Sequence, residues 1–148
     1  GEERIAAPRQ AVWDVLNNIE TLKECIPGCE DLERISEHEI RAGLKVNLGI
    51  MTVRFHGMLE LSNMVEPQSY TISGRGECSI AGFAHGVTDV HLTEDGEYTI
   101  LSYEIRGDAG GRIAQLGTKL LGKVARKIAD KFFANIAQSA AMAAAKAG

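Results

Sequence analysis

The sequence predicts an α+β domain: a curved antiparallel sheet with one long helix lying across a single face. Three observations carry this. Between residues 29 and 107 apolar residues recur at every second position, the period of strands with one buried and one wet side. Residues 111–146 switch to a helical period, and no strand–helix alternation of the kind that builds a parallel sheet occurs. At 148 residues, 45% hydrophobic and 24% charged, the chain has the size and composition of one globular domain.

Each element has its own signature. A first short strand is expected near residues 2–6. Pro8 suits a helix start, and Val12, Trp13, Leu16, Ile19 and Leu22 recur at helical spacing, with Asn17-Asn18 as a break between two short pieces. Pro27-Gly28 ends this region. Alternation then runs through Ile40–Leu48, Val53–Leu61, Tyr70–Ile72, Val90–Leu92 and Thr99–Ile105. The intervening Leu48-Gly49, Glu66-Pro67-Gln68-Ser69 and Glu94-Asp95-Gly96-Glu97 read as hairpin turns. Glycines at 43, 57, 74, 76, 82 and 86 fall in strand-like regions, where they commonly mark bulges and bends. Residues 111–146 read as one helix with Ile113, Leu120, Leu121, Val124, Ile128, Phe132 and Ile136 on a shared face. The domain is expected to occupy residues 1–136, and the alanine-rich 137–148 to be a helix end that frays for want of anything large to bury.

Composition excludes several classes of function. No run of 18 apolar residues exists, so no membrane-spanning helix is expected. Cys25, Cys29 and Cys78 are too few and too scattered for a disulfide scaffold and fit a reducing compartment. They also lack the compact company of further ligands that a metal needs, and no base is placed beside Cys25 to activate it. No phosphate loop is present, because Gly74-Arg75-Gly76 opens no helix. Residues 111–148 carry a net charge of +6, leaving −10 on the remainder. An acidic body with eight aromatics and no aromatic ladder among its basic residues is no nucleic-acid binder, but it offers one positive face to something anionic.

Five segments then carry a resemblance: Ala7-Pro8-Arg9-Gln10-Ala11-Val12-Trp13, Cys25-Ile26-Pro27-Gly28-Cys29-Glu30, Ala81-Gly82-Phe83-Ala84-His85-Gly86, Gly110–Gly117 and Ala125–Phe133. Taken together they make the chain resemble the carbon monoxide dehydrogenase G-subunit family, a branch of the START/Bet v 1-like (SRPBCC) superfamily. That resemblance implies a helix-grip fold, seven antiparallel strands wrapped around a long C-terminal helix, with an internal apolar cavity. It also implies an accessory protein of a molybdenum-containing carbon monoxide dehydrogenase or related hydroxylase, linking it to the inner face of the cytoplasmic membrane. A lipophilic quinone such as menaquinone or ubiquinone would fit as cargo, with no covalently bound cofactor.

Two sets of residues are candidates for that work. The apolar set Phe55, Leu59, Tyr70, Ile72, Leu101 and Tyr103 on strands faces Leu116, Leu120 and Val124 on the helix, with Phe83 as a gate. These residues either fill a core or line the implied cavity; in the second case Leu120→Trp plugs it. A buried Tyr70 or Tyr103 hydroxyl needs a partner, which a quinone carbonyl would supply. The second set is Lys119, Lys123, Arg126, Lys127 and Lys131 with Phe133 on the adjoining helix face, expected to be exposed and to meet anionic lipid or an acidic partner. Two other functions fit the same fold. One is a cyclase- or hydratase-type enzyme, which needs a titratable group inside, and the inward strand sets contain no Asp, Glu or His. The other is a solid-cored tether, which needs no cavity.

Overall fold

The computed structural model describes residues 1–49, 51–78 and 82–147. Ala81 of the quoted motif and Gly148 of the expected tail lie outside the described residues. The elements in chain order are β1 (Glu2–Ile5), α1 (Arg9–Leu16), α2 (Ile19–Cys25), β2 (Cys29–Arg34), β3 (Glu39–Asn47), β4 (Thr52–Val65), β5 (Ser69–Cys78), β6 (Gly82–Asp95), β7 (Tyr98–Gly110), a 3-10 segment (Gly111–Leu116) and α3 (Thr118–Ala147). The sheet is antiparallel with order β1-β7-β6-β5-β4-β3-β2. β2 to β7 thus form a continuous meander, and β1 closes the far edge against β7. This is the expected seven-stranded sheet with its long terminal helix.

The Asn17-Asn18 break works as a pair of caps. Asn17 Nδ2 donates back to the Trp13 carbonyl at 2.9 Å, and Asn18 Oδ1 accepts from the Thr21 amide at 3.1 Å to start α2. The apolar faces of α1 and α2 both meet α3; α1 also meets the inward side of β6 and β7, and α2 meets β2. Here Trp13 sits edge-on to Tyr70 with ring centroids 5.3 Å apart, amid Val12, Leu16, Val90 and Leu101, all nearly or fully buried. This end of the molecule is filled.

Two expectations about the terminal helix fail. Residues 111–146 are not one helix. Gly117 takes φ +91°, in the left-handed region that favours glycine, so the 3-10 segment stops there and α3 starts afresh with its own phase. Residues 137–147 do not fray either. α3 is helical to Ala147, Ala140 has no solvent exposure, and Ala137 and Ala144 pack against the core. The small side chains are the reason, since a helix of alanines approaches its neighbours closely. Asn135 Nδ2 donates to the Cys25 carbonyl at 2.9 Å, and Ser139 Oγ lies 3.6 Å from Cys25 Sγ, tying α3 to the end of α2.

Candidate functional site

Between the sheet and the first half of α3 lies a cavity of about 1290 Å³. Its floor is made by removing side chains. Cross-strand pairing sets Ala42, Gly57, Gly76, Ala84 and Ala109 side by side across β3 to β7. A second row runs Leu59, Gly74, Gly86 and Gly107 across β4 to β7. These positions share the inward parity of Leu61, Ile72, Val90 and Leu101, so a full side chain at each would project toward α3. The glycines do not all serve one purpose. A Cβ at Gly57 would lie 1.8 Å from the Arg75 carbonyl oxygen, so the backbone itself excludes any side chain there. A Cβ at Gly86 would meet nothing closer than the Arg106 carbonyl oxygen at 3.7 Å. There the space is real and empty of protein.

Above this floor, Leu121, Gly122, Val124, Ala125 and Ile128 of α3 form the roof. Leu48, Val53, Phe55 and Ile113 make a second buried cluster at the far end. The walls are therefore largely apolar, and the cationic side chains of Lys119, Lys123 and Arg126 border the opening.

The structure sorts the predicted cavity set. Phe55, Leu59, Tyr103 and Val124 line the cavity. Tyr70, Ile72 and Leu101 have the right parity but belong to the filled end, beneath α1 and the second half of α3. Period-two alternation assigns a face and is silent about position along the strand. Leu116 packs with the second cluster. Leu120 is half-buried and absent from the lining, since the phase of α3 is set after Gly117 and puts Leu121 on the roof. A tryptophan at 120 is therefore no plug. Phe83 is no gate: it sits at an outward parity of β6, exposed, with the Arg75 guanidinium 5.5 Å from its ring centre.

The basic set divides as well. Lys119, Lys123, Arg126, Lys127 and Lys131 are all exposed, and among the described residues none has a carboxylate within 4 Å. Phe133 is the exception, because it is only 2% exposed and its ring stacks on Tyr103 with centroids 4.2 Å apart. The packed face of α3 widens where sheet and short helices flank it on both sides. It takes in Phe132 and Phe133 together.

Asp130 of α3 has no place among the residues that sequence pattern singles out, yet it borders the cavity, open to solvent on one side. It accepts a hydrogen bond from the Tyr103 hydroxyl, Oη to Oδ1 2.5 Å. Burial first, then this bond and the carboxylate's charge, push the Tyr103 phenol well above its ordinary range, so its hydrogen stays in place. The available signal is that Asp130 is the lone acid of a basic helix, two residues before an aromatic pair. Elsewhere, burial pushes the Cys25 and Cys29 thiols up, away from thiolate chemistry. Among the described residues no cluster of three or more His, Cys, Asp or Glu side chains stands ready for a metal ion. No described helix is long and apolar enough to cross a membrane.

Comparison with known proteins agrees with this architecture. The model of the carbon monoxide dehydrogenase G-subunit family (CoxG) matches residues 1–141. A crystal structure of a conserved protein from Geobacillus kaustophilus superposes with a TM-score of 0.87 at 27% identity, covering 95% of this chain and 93% of that one. The Zhui aromatase/cyclase from Streptomyces sp. R1128 gives 0.63 at 15% identity, covering 95% and 90%. Ara h 8.0201 gives 0.65 at 12% identity, covering 95% and 94%. The last two show the helix-grip fold alone. No curated relative matches the chain.

Proposed function

The chain belongs to the carbon monoxide dehydrogenase G-subunit family, and from that premise we propose that it is a non-enzymatic carrier of a lipophilic quinone between its dehydrogenase and the membrane. The family is one of accessory subunits, which gives the coarse role and the partner. The observation that carries the finer reading is the cavity floor, where glycine and alanine stand in two adjoining rows, one across five strands and one across three. Where the backbone leaves room, as at Gly86, a protein that needs only a core fills such a position. An apolar space of about 1290 Å³ suits an organic ligand of substantial size, and it weighs against a solid-cored tether.

The energetics follow from the walls. Moving a ring and an isoprenoid tail out of water is favourable by about 25 cal/mol per Å² of apolar area, so desolvation supplies most of the affinity. The exposed lysines and arginine beside the opening then hold the carrier near anionic lipid at the inner face of the cytoplasmic membrane, each contributing about 1 kcal/mol. Electrons reach the bound quinone from the molybdenum enzyme's own centres; this chain binds, shelters and releases.

A second reading, a cyclase- or hydratase-type enzyme, is favoured by one observation, the Tyr103–Asp130 pair on the cavity wall. It is a single titratable pair in a largely apolar surround, and binding is the simpler use of it. Native mass spectrometry of protein extracted gently from its own membranes separates the readings. The carrier co-purifies with one quinone, or takes up added quinone. Ligand-free protein that also refuses added quinone ends the carrier reading.

A further inference from the structure

Apart from Thr118, the cations of α3 and Arg75, His85, Glu104, Arg106 and Asp108 at the outward parity of β5 to β7, the hydrogen-bonding side chains that border the cavity among the described residues meet at one place. Tyr103 arrives there from β7 and Asp130 from α3, and the phenol hydrogen is already committed to Asp130 Oδ1. A tyrosine has one hydrogen to give and an ionised carboxylate has none. What remains for a ligand is a lone pair on Tyr103 Oη and the second oxygen, Oδ2, of Asp130. Among the described residues no cation lies within 4 Å of that carboxylate. The pair is an acceptor site bordering an apolar wall.

Resting on the quinone reading above, we propose that Tyr103 and Asp130 anchor the head of the bound molecule and hold the dihydroxy form, a hydroquinone, more tightly than the diketone. A hydroquinone O–H donates to Asp130 Oδ2 while the Tyr103 bond stays intact. A quinone carbonyl brings only lone pairs. To meet it, Tyr103 must turn its hydrogen away from Asp130 and give up a bond to a charged group, which is worth more than the neutral bond that replaces it. The sense of the preference suits a carrier that collects reduced product from a dehydrogenase. Its size is that of one hydrogen bond to a charged group, about tenfold or more in affinity. The exposed guanidinium of Arg126, which also borders the cavity, is the competing donor; an anchor there serves both redox forms and gives no preference.

Calorimetric titration under anaerobic conditions, with decylubiquinone and dithionite-reduced decylubiquinol as probes, tests this on the full chain. Wild type binds the quinol about tenfold more tightly or better. In Asp130→Asn the amide oxygen still accepts from Tyr103 while its NH₂ donates to a carbonyl, so the ratio falls to parity or reverses. Tyr103→Phe keeps the ring on Phe133 and both oxygens of Asp130, so the quinol preference persists there even where stability drops. A pair that is merely structural shifts both affinities together and leaves the ratio untouched. Equal binding of the two forms by wild type, or an unchanged ratio in Asp130→Asn, overturns the anchor and leaves the carrier standing. Failure to bind either form overturns both.

Discussion

The two ends of the sheet's inner face are built on the same four strands, with the same parity, and end up opposite in character. Toward α1, the inward positions of β4 to β7 hold Leu61, Tyr70, Ile72, Val90, Leu101 and Tyr103, and α3 lies down on them through Phe132, Phe133 and Ile136. Toward the 3-10 segment, the same strands offer Gly57, Gly74, Gly76, Gly86 and Gly107, and α3 spans a gap. Backbone curvature alone does not make that gap. Close backbone approach bars a side chain at Gly57 and Gly107 while Gly86 leaves open space, and the packed end supplies the stability that the hollow end forgoes.

The largest effect that tests this contrast is on folding. Phe133→Ala, at the filled end, is expected to cost about 3–5 kcal/mol, whereas Leu121→Ala on the cavity roof costs about 1 kcal/mol or less, since a roof over empty space has few contacts to lose. Urea unfolding measures both; equal losses break the comparison. Next comes occupancy. Gly86→Leu introduces a side chain where the backbone leaves room, so quinone uptake is lost while Tm stays within a few degrees of wild type. Leu120→Trp, by contrast, leaves uptake as it was. Uptake that survives Gly86→Leu places the ligand elsewhere. The smallest effect is at the surface. Replacing Lys123 and Lys127 by Gln lowers partition onto phosphatidylserine vesicles by about one to two orders of magnitude, from roughly 1 kcal/mol per cation, with unfolding unchanged. Unchanged vesicle binding removes the basic face from the mechanism.

Much of the fold is legible in the sequence because its signals are local. Alternation through Ile40–Leu48 and Thr99–Ile105 names the buried face, and Asn17-Asn18 names the break between α1 and α2. The hollow is not legible in the same way. A glycine in a strand means a bend, a close approach or a vacancy, and even the row that joins Gly74 to Gly86 and Gly86 to Gly107 mixes them, since a Cβ at Gly107 would lie 2.7 Å from the His85 carbonyl oxygen while one at Gly86 meets open space. Parity carries no information on depth, so it assigns Tyr70 and Leu101 to the cavity when they belong to the filled end. Leu120 and Phe133 go astray for different reasons: the projection that holds Leu120 runs through Gly117, where the phase is reset, and Phe133 is taken in because the packed face of α3 is wider there than one stripe. Alanine misleads in yet another way, since a residue too small to drive burial is well suited to accept it, as Ala140 does.

The tie between Asn135 and the end of α2 has a mechanical corollary. It clamps the terminal rod just past its midpoint, while the opposite end is joined through a single glycine and meets the second cluster through Leu121 and Val124. A beam held in that manner bends most at its lightly held tip, and the tip carries the lysines. Whatever pulls on those charges, a bilayer or a partner protein, works on the long arm of a lever whose short arm never leaves its seat.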